Sequence, residues 1–504
     1  MRNRMFAVSL VLCFVLLPSS WAQVGATPET KQTLVKIYDD AKSEFFVTLD
    51  KFISTHPRRF ELTGDDALRL HDARNQFPNL FERLMIVAYQ KDEPLFSERI
   101  RKGDEESLKE FRKDFIDLSK EYAARFVGSL FRQEKGFDFA MTLPHNRGKG
   151  RLDLVLQSMG YNAKNDPPPV PPELRFANKI EPEFYSQWTL AALNAPKAQQ
   201  VSKGEGVIVA VIDSGLDPYN ALFKDKTVPG FSFVQQRSKA PWEDEPVTTV
   251  DWGVHGTAVA SAVVLIAPEV RIMPMRALDG DTMNDPPYLY WPYETIAASI
   301  YWAVNHGAHI IQVSAALPSS EPVIWQAVRY AYSKNVVVST SAGNISRFQW
   351  GLRPEDGMYR SFDHEVLLVG GVAHKGATMR AWDHTMPGPQ MTVGVPAADV
   401  FAIVPTYIPE IKDDFVSGTS IASPLVSGVA ALMRSAAPPP QRLLEQPGAY
   451  VRLVTDALKD TARLDVLGLA DPNDIVGHGL VDAEAAVLAI QKKVAALSKK
   501  RAAR

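Results

Sequence analysis

Four short apolar runs constrain this chain more than anything else in it. Residues 207–212, 310–313, 336–338 and 366–369 are built of Val, Ile, Leu and Ala, with Gln312 the one polar residue among them. Runs this short and this rich in β-branched residues read as strands buried on both faces. Helical patterns over 293–304 and 324–332 separate several of them. Buried strands alternating with helices predict an α/β fold, a doubly wound, mainly parallel sheet flanked by helices. In such sheets functional groups gather beyond the carboxyl ends of the strands. The residues that follow each run are therefore the first candidates for chemistry.

The chain before residue 160 has a different pattern. Leu34, Tyr38, Ala41, Phe45, Leu49 and Phe52 recur at helical spacing after a Thr27-Pro28 start. Thr63-Gly64-Asp65-Asp66 has the form of a capping box opening a second helix. A third helical pattern covers 105–131, and the aromatic stripe of this region reads as core, with no catalytic constellation. Residues 165–172, Asn-Asp-Pro-Pro-Pro-Val-Pro-Pro, stop helices and favour an extended linker. The predicted organisation is a signal peptide over 1–22, a helical N-terminal region over 23–163 (pro-segment or accessory domain) and a Pro-rich linker over 164–183. A catalytic domain over 184–490 and a frayed, basic C-terminal tail over 491–504 follow.

Arg2 and Arg4 precede a 13-residue apolar run over 5–17, too short to span a bilayer comfortably, and Ser20-Trp21-Ala22 suits a signal peptidase. The reading is an exported protein, secreted or periplasmic, with no stable membrane insertion after signal removal. The single cysteine, Cys13, lies inside the signal. A mature chain without cysteine excludes disulfides, thiol nucleophiles and thiolate metal sites. The net charge of −3 gives no field that would favour nucleic acid.

The first run ends on Asp213-Ser214-Gly215, a carboxylate at a strand terminus with a glycine that lets the chain turn. His255-Gly256-Thr257-Ala258-Val259-Ala260-Ser261 opens an apolar, small-residue helix. A histidine at a helix start meets the positive end of the helix dipole, which favours the neutral, proton-accepting ring. Ser417-Gly418-Thr419-Ser420 enters another small-residue helix, where backbone amides face incoming negative charge. The run at 336–338 leads through Ser341-Ala342-Gly343 to Asn344, whose amide could face the same crevice. Taken singly, each is more commonly a turn or a cap; together, in the order Asp, His, Asn, Ser, they form a specific pattern.

With these residues the sequence resembles the subtilase family of serine peptidases over 184–487, about three-fifths of the chain. Asp…His…Ser is the order in which subtilisin itself carries its triad. Gln187-Trp188 with Ala195-Pro196-Lys197-Ala198 is similar to the family's usual entry into the catalytic domain, and Gly477-His478-Gly479-Leu480-Val481-Asp482-Ala483 to its exit. The resemblance implies Ser420 as nucleophile, His255 as general base, Asp213 as its orienting partner and Asn344 as oxyanion donor. It further implies Thr419 in support of the oxyanion hole, and Ser314, Ala315, Ala316, Ser341, Ala342 and Gly343 along a cleft that pairs a protein or peptide substrate as an added strand.

The chain departs from the family pattern in places. Ala258 and Ser261 stand where the family usually has a second His and a Gly, and Ser314-Ala315-Ala316-Leu317 replaces the usual Ser-Leu-Gly-Gly of the cleft. Residues 279–293, acidic and then rich in Pro, Tyr and Trp, suggest an aromatic wall at the groove. The chemistry needs no cofactor. A structural Ca²⁺ is left open by acidic residues at 243–245 and 279–285, neither of which has a defined ligand spacing. His306 and His309 read as structural. Asn344-Ile345-Ser346 is also a glycosylation sequon, which on an oxyanion donor favours a bacterial exporter. Two other readings stay open on the residues alone: a non-catalytic peptide-binding protein on this fold, and an esterase or acyltransferase using the same triad.

Overall fold

The computed structural model describes residues 28–55, 80–132, 175–233, 254–278, 293–315, 317, 322–344, 364–375, 378–388, 390–406, 413–467 and 473–502. The chain divides into two compact units, Met1–Thr142 and Leu143–Arg504. The signal segment, the proposed capping box at 63–66 and the proline run lie outside the described residues.

Among the described residues the first unit holds three helices, α1 (Pro28–Thr55), α2 (Leu80–Lys102) and α3 (Glu105–Arg132). The stripe of Leu34, Tyr38, Ala41, Phe45 and Leu49 is buried, as the helical spacing predicts. Aromatic edges close this core: Phe45 meets Phe81 at 5.5 Å between ring centroids, and Phe96 meets Phe111 at 5.1 Å. Gly103, at φ +65°, turns the chain between α2 and α3. Asp104 then caps α3, its Oδ1 accepting the Ser107 amide at 2.8 Å. Arg99 bridges α2 to α3 through Asp114 at 2.6 Å.

The second unit is built on an eight-stranded sheet. Its strands are β1 (Ile208–Asp213), β2 (Phe231–Ser232), β3 (Arg271–Arg276), β4 (Ile310–Val313), β5 (Val337–Ser341), β6 (Leu367–Lys375), β7 (Thr378–Ala381) and β8 (Val393–Pro396). The order is β2-β3-β1-β4-β5-β6-β7, with β8 also paired to β6. Every pairing is parallel except β6 with β7. A second, two-stranded antiparallel sheet joins β9 (Val400–Ala402) to β10 (Asp414–Val416). The helices that flank the main sheet are α4 (Ala195–Val201), α5 (His255–Ile266), α6 (Tyr293–Asn305), α7 (Pro322–Ser333), α8 (Thr419–Ala436), α9 (Ala449–Thr461) and α10 (Ala483–Ala502). The continuous apolar runs are thus buried central strands, and the sheet is the mainly parallel one expected.

One expectation fails. The end of the chain is not a frayed tail, because α10 continues through Ala502. The reason is local: Ala495, Ala496 and Leu497 and the Lys and Arg residues after them are among the strongest helix formers, and no Gly or Pro interrupts them.

The junction between α6 and β4 carries a half-buried histidine. His309 Nδ1 accepts the backbone N–H of Ile208, the first residue of β1, at 3.0 Å. Burial, with the Arg434 charge nearby, lowers its pKa to about 4. The neutral ring therefore belongs to the folded state, whereas the unfolded chain takes up a proton near pH 6.5. Its contribution to stability is complete above pH 6.5 and is lost as the pH falls toward about 4. We expect the thermal midpoint to fall over this interval. His309→Asn, which keeps an acceptor but cannot titrate, should show a flatter dependence in the same calorimetric series.

Candidate active site

The site grows from the carboxyl edge of the central strands. β1 ends on Asp213, which is fully buried. Its carbonyl accepts the amides of Ala277 and Leu278 beyond β3, at 2.9 and 3.1 Å, so the strand end is fixed on that side. Gly215, at φ +125°, then turns the chain out of the sheet. The Asp213 Oδ1 accepts the Ser214 amide at 2.7 Å and the Ser214 hydroxyl at 3.2 Å. The same oxygen faces His255 Nδ1 at 2.8 Å. Asp213 Oδ2 is buried with no hydrogen-bond partner among the described residues.

His255 is the first residue of α5, after Val254 in a left-handed conformation. Two bonds tie this helix start to the turn after Asp213: the Gly256 amide donates to Ser214 Oγ at 3.0 Å, and the Asp217 amide donates to Thr257 Oγ1 at 3.0 Å. Asp217 in turn accepts the Thr406 amide and hydroxyl at 2.8 and 2.7 Å and the Tyr219 amide at 2.9 Å. Burial pushes its carboxyl above the usual range in spite of those donors. The His255 ring is 43% exposed, with Nδ1 held against the carboxylate.

Ser420 is the second residue of α8, whose N-cap is Gly418. Thr419 joins it to Asn344: the Thr419 amide and hydroxyl both donate to Asn344 Oδ1 at 2.9 Å, and the Gly343 amide donates to Thr419 Oγ1 at 3.1 Å. With Oδ1 occupied, the Asn344 amide nitrogen is aimed elsewhere. A Cβ added to Gly418 would lie 3.4 Å from Ser420 Oγ, 3.6 Å from Asn344 Nδ2 and 3.7 Å from the Ser420 nitrogen. One hydroxyl and two N–H donors thus surround a single point at the helix start.

The cleft residues follow β4 and β5, which pair in register from Ile310 with Val337 to Val313 with Thr340. Ser341 closes β5, and Ala342 and Gly343 carry the chain to Asn344. The Ala342 amide donates to the Val369 carbonyl at 3.0 Å. Thr340 Oγ1 donates to the Ala315 carbonyl at 2.7 Å, which pins the segment after β4. The Ser314 side chain is turned beneath α8, donating to the Ser420 carbonyl at 2.6 Å. Ala316 lies outside the described residues, as do both acidic stretches named for Ca²⁺ and the Pro-, Tyr- and Trp-rich segment. Among the described residues no group of three or more His, Cys, Asp or Glu could hold a metal ion. Ser261, at the family's glycine position, donates to the Ala258 carbonyl at 2.7 Å and accepts the Ile403 amide at 3.2 Å. The departure is absorbed by a bond to the strand region after β9. His306 stacks on Trp302 at 3.8 Å between ring centroids.

Two residues of the site have no role assigned from the sequence: Ser214, which links Asp213 to α5, and Gln312, the polar residue within β4. The sequence signal for the second is a lone polar residue inside an apolar strand.

Residues 204–479, more than half of the chain, match the model of the subtilase family, peptidase S8. The chain belongs to this family and is a subtilisin-like serine endopeptidase. It is similar to subtilisin DY of Bacillus licheniformis, with 29% identity over 58% of this chain and 96% of that protein. It is also similar to an intracellular serine protease of Paenibacillus polymyxa, with 27% identity over 55% of this chain and 82% of that protein. Among solved structures, fervidolysin from Fervidobacterium pennivorans, a keratinolytic enzyme related to subtilisin, superposes with a TM-score of 0.47 at 24% identity, over 62% of this chain and 47% of that one.

The close approach of α5 to the turn after Asp213 depends on Gly256. A Cβ there would sit 2.1 Å from the Gly215 carbonyl oxygen, a backbone atom that cannot step aside. We expect Gly256→Ala to displace His255 from Asp213, with stability lower by about 1–3 kcal/mol and kcat lower by roughly 10²-fold. Calorimetry and peptide-hydrolysis kinetics on the same preparation check both.

Proposed function

We propose that the protein is an exported endopeptidase, made as a precursor, that cleaves peptide bonds through Asp213, His255 and Ser420. The observation that carries this reading is the 2.8 Å contact between His255 and the buried Asp213. The first turn of α8, with Ser420 Oγ and the Asn344 amide about one point, supports it from the other side. Ser420 Oγ attacks the scissile carbonyl while its proton passes to His255 Nε2. The Asn344 Nδ2–H and the Ser420 N–H hold the oxyanion as the carbonyl becomes tetrahedral. The C–N bond then breaks as His255 returns its proton to the leaving amine, and an acyl-enzyme forms on Ser420. A water, deprotonated by the same ring, hydrolyses that ester. Asp213 holds the imidazole in its productive tautomer and stabilises the imidazolium. The substrate lies as an added strand against Ser341, Ala342 and Gly343 on one side and Ser314 to Ala316 on the other.

In this reading the helical region before residue 164 is a pro-segment or accessory domain, and the signal over 1–22 directs export. The stretch just before the catalytic domain narrows where a cut would fall. Phe176 donates its amide to the Tyr219 carbonyl at 2.7 Å, and the Ala221 amide donates to Asn178 Oδ1 at 2.7 Å. A cut between residues 163 and 174 leaves these bonds intact. No helix among the described residues is long and apolar enough to cross a membrane.

Active-site labelling with a fluorophosphonate, read with the N-terminal sequence of the mature protein, tests the reading. A covalent adduct on Ser420 and a mature N-terminus between residues 164 and 175 are expected. Ser420→Ala should lose the adduct and, if the cut is autocatalytic, remain full length. A protein that binds peptides but takes no adduct would be a binding module, and turnover of esters without peptides would make it an esterase. For the oxyanion donor, Asn344→Ala should lower kcat by about 10²–10³ with little change in KM, measured on one peptide substrate.

A further inference from the structure

Beneath Ser420 lies a buried polar cluster centred on Gln312, a residue that the proposed chemistry does not use. On α8, Ser420, Ser423 and Ser427 stand at positions i, i+3 and i+7, a single stripe of that helix. Gln312 lies on β4 and Ser314 follows one residue beyond its end, and Ser339 of β5 is the register partner of Gln312. Gln312, Ser339, Ser423 and Ser427 are fully buried, and Ser314 is nearly so.

The cluster starts from a gap in the helix. The Ser420 carbonyl would ordinarily accept the amide of residue 424. That residue is proline and has no N–H. The Ser314 hydroxyl fills the gap, donating to the Ser420 carbonyl at 2.6 Å. A hydroxyl can rotate, so something must direct its proton. Gln312 does so: its Nε2 donates to Ser314 Oγ at 2.9 Å, which leaves the Ser314 proton to the carbonyl. The same nitrogen donates its second hydrogen to Ser423 Oγ at 2.6 Å. Gln312 Oε1 accepts the Ser427 hydroxyl at 2.7 Å. Both N–H groups and the carbonyl of one amide are thus engaged, and a reversed amide would turn its oxygen toward Ser314, competing with the Ser420 carbonyl for that proton. Ser339 adds a parallel tie, donating to the Ser423 carbonyl at 3.2 Å.

We propose that Gln312 is a positioning residue for Ser420, acting through Ser314 and the α8 serines to hold the first turns of the nucleophile helix on β4. The inference rests on the reading of Ser420 as nucleophile. An apolar residue of the same size would suit a strand of Ile and Val and avoid burying an amide. What it could not do is direct the Ser314 proton and anchor two turns of α8 at once.

Gln312→Met preserves the volume and removes all three bonds. The expected result is a kcat and a fluorophosphonate labelling rate at Ser420 lower by about 10²-fold, with KM within about threefold. Amide hydrogen exchange over 421–427 should also accelerate, and this needs no turnover. Gln312→Asn, which keeps the amide but shortens its reach, should be intermediate in each measurement. If thermal unfolding shows Gln312→Met not to be folded, the Asn variant decides. A kcat within twofold of wild type, or unchanged exchange over 421–427, would overturn the proposal. A wild type that takes no adduct at Ser420 would instead overturn the peptidase reading, while the exchange comparison still decides whether Gln312 clamps the helix.

Discussion

The site depends on how closely α5 and α8 approach each other. Gly428 of α8 faces Ile266 at the end of α5, and a Cβ added there would lie 2.6 Å from the Ile266 Cβ and 3.0 Å from the Val263 carbonyl oxygen. The contact fixes the two helices near the far end of α5, while their first turns carry His255 and Ser420. Small residues make this feasible: Ala422, Ser423, Ser427, Ala430 and Ala431 of α8 are all fully or almost fully buried. The larger side chains on the helix, Leu425, Val426, Val429, Leu432 and Met433, are buried as well. Each contributes on the order of 1.5–3 kcal/mol relative to exposure. That apolar burial offsets the cost of placing a helix start, with its unpaired amides, at a reactive edge.

Two kinds of polar burial surround this apolar packing, and they do different things. Asp217 sits under the turn that follows Asp213 and joins it both to α5 and to Thr406, so it fixes the base of the histidine. Burial disfavours its ionised carboxyl, and the donors around it only partly relieve that cost. The Gln312 cluster is neutral and fully hydrogen-bonded, so it holds the start of α8 without an ionised group. Carboxylates therefore organise the histidine side of the site, and neutral amides and hydroxyls organise the serine side.

Much of the fold is legible in the sequence because its central strands are continuous apolar runs and its helices keep their period. Asp213, His255 and Ser420 can be found because each stands where a run or a helix begins or ends. The strand order is not legible. Nothing local says that β1 lies between β3 and β4, yet that order brings residues 213, 314 and 341 to one edge. The role of Gln312 is hidden for the same reason: its partners lie more than a hundred residues away on α8. The antiparallel pairing of β6 with β7 and the extra pairing of β8 are likewise consequences of packing. The helical end of the chain departs from expectation for a different reason, since its basic composition suggests a solvated tail while its propensity favours helix.

The bracing of Asn344 bears on how the proposed oxyanion site would work. Its Oδ1 is held by two donors, the amide and hydroxyl of Thr419. Reversing the amide would set its N–H groups against the Thr419 backbone N–H, a fixed donor, forfeiting that bond at about 1 kcal/mol and adding repulsion. The orientation of Nδ2 is therefore settled before any substrate arrives. Thr419 is also the chain neighbour of Ser420, so the side chain that braces Asn344 and the backbone that carries Ser420 are joined directly. A shift of α8 would carry the Ser420 hydroxyl and amide together and change their distance to His255, while the Thr419 bonds tie α8 to Asn344 in the segment after β5. On this account the variable the fold must control is the placement of the serine helix relative to β1 and α5. Both the Gly428 contact and the Gln312 amide act on that variable.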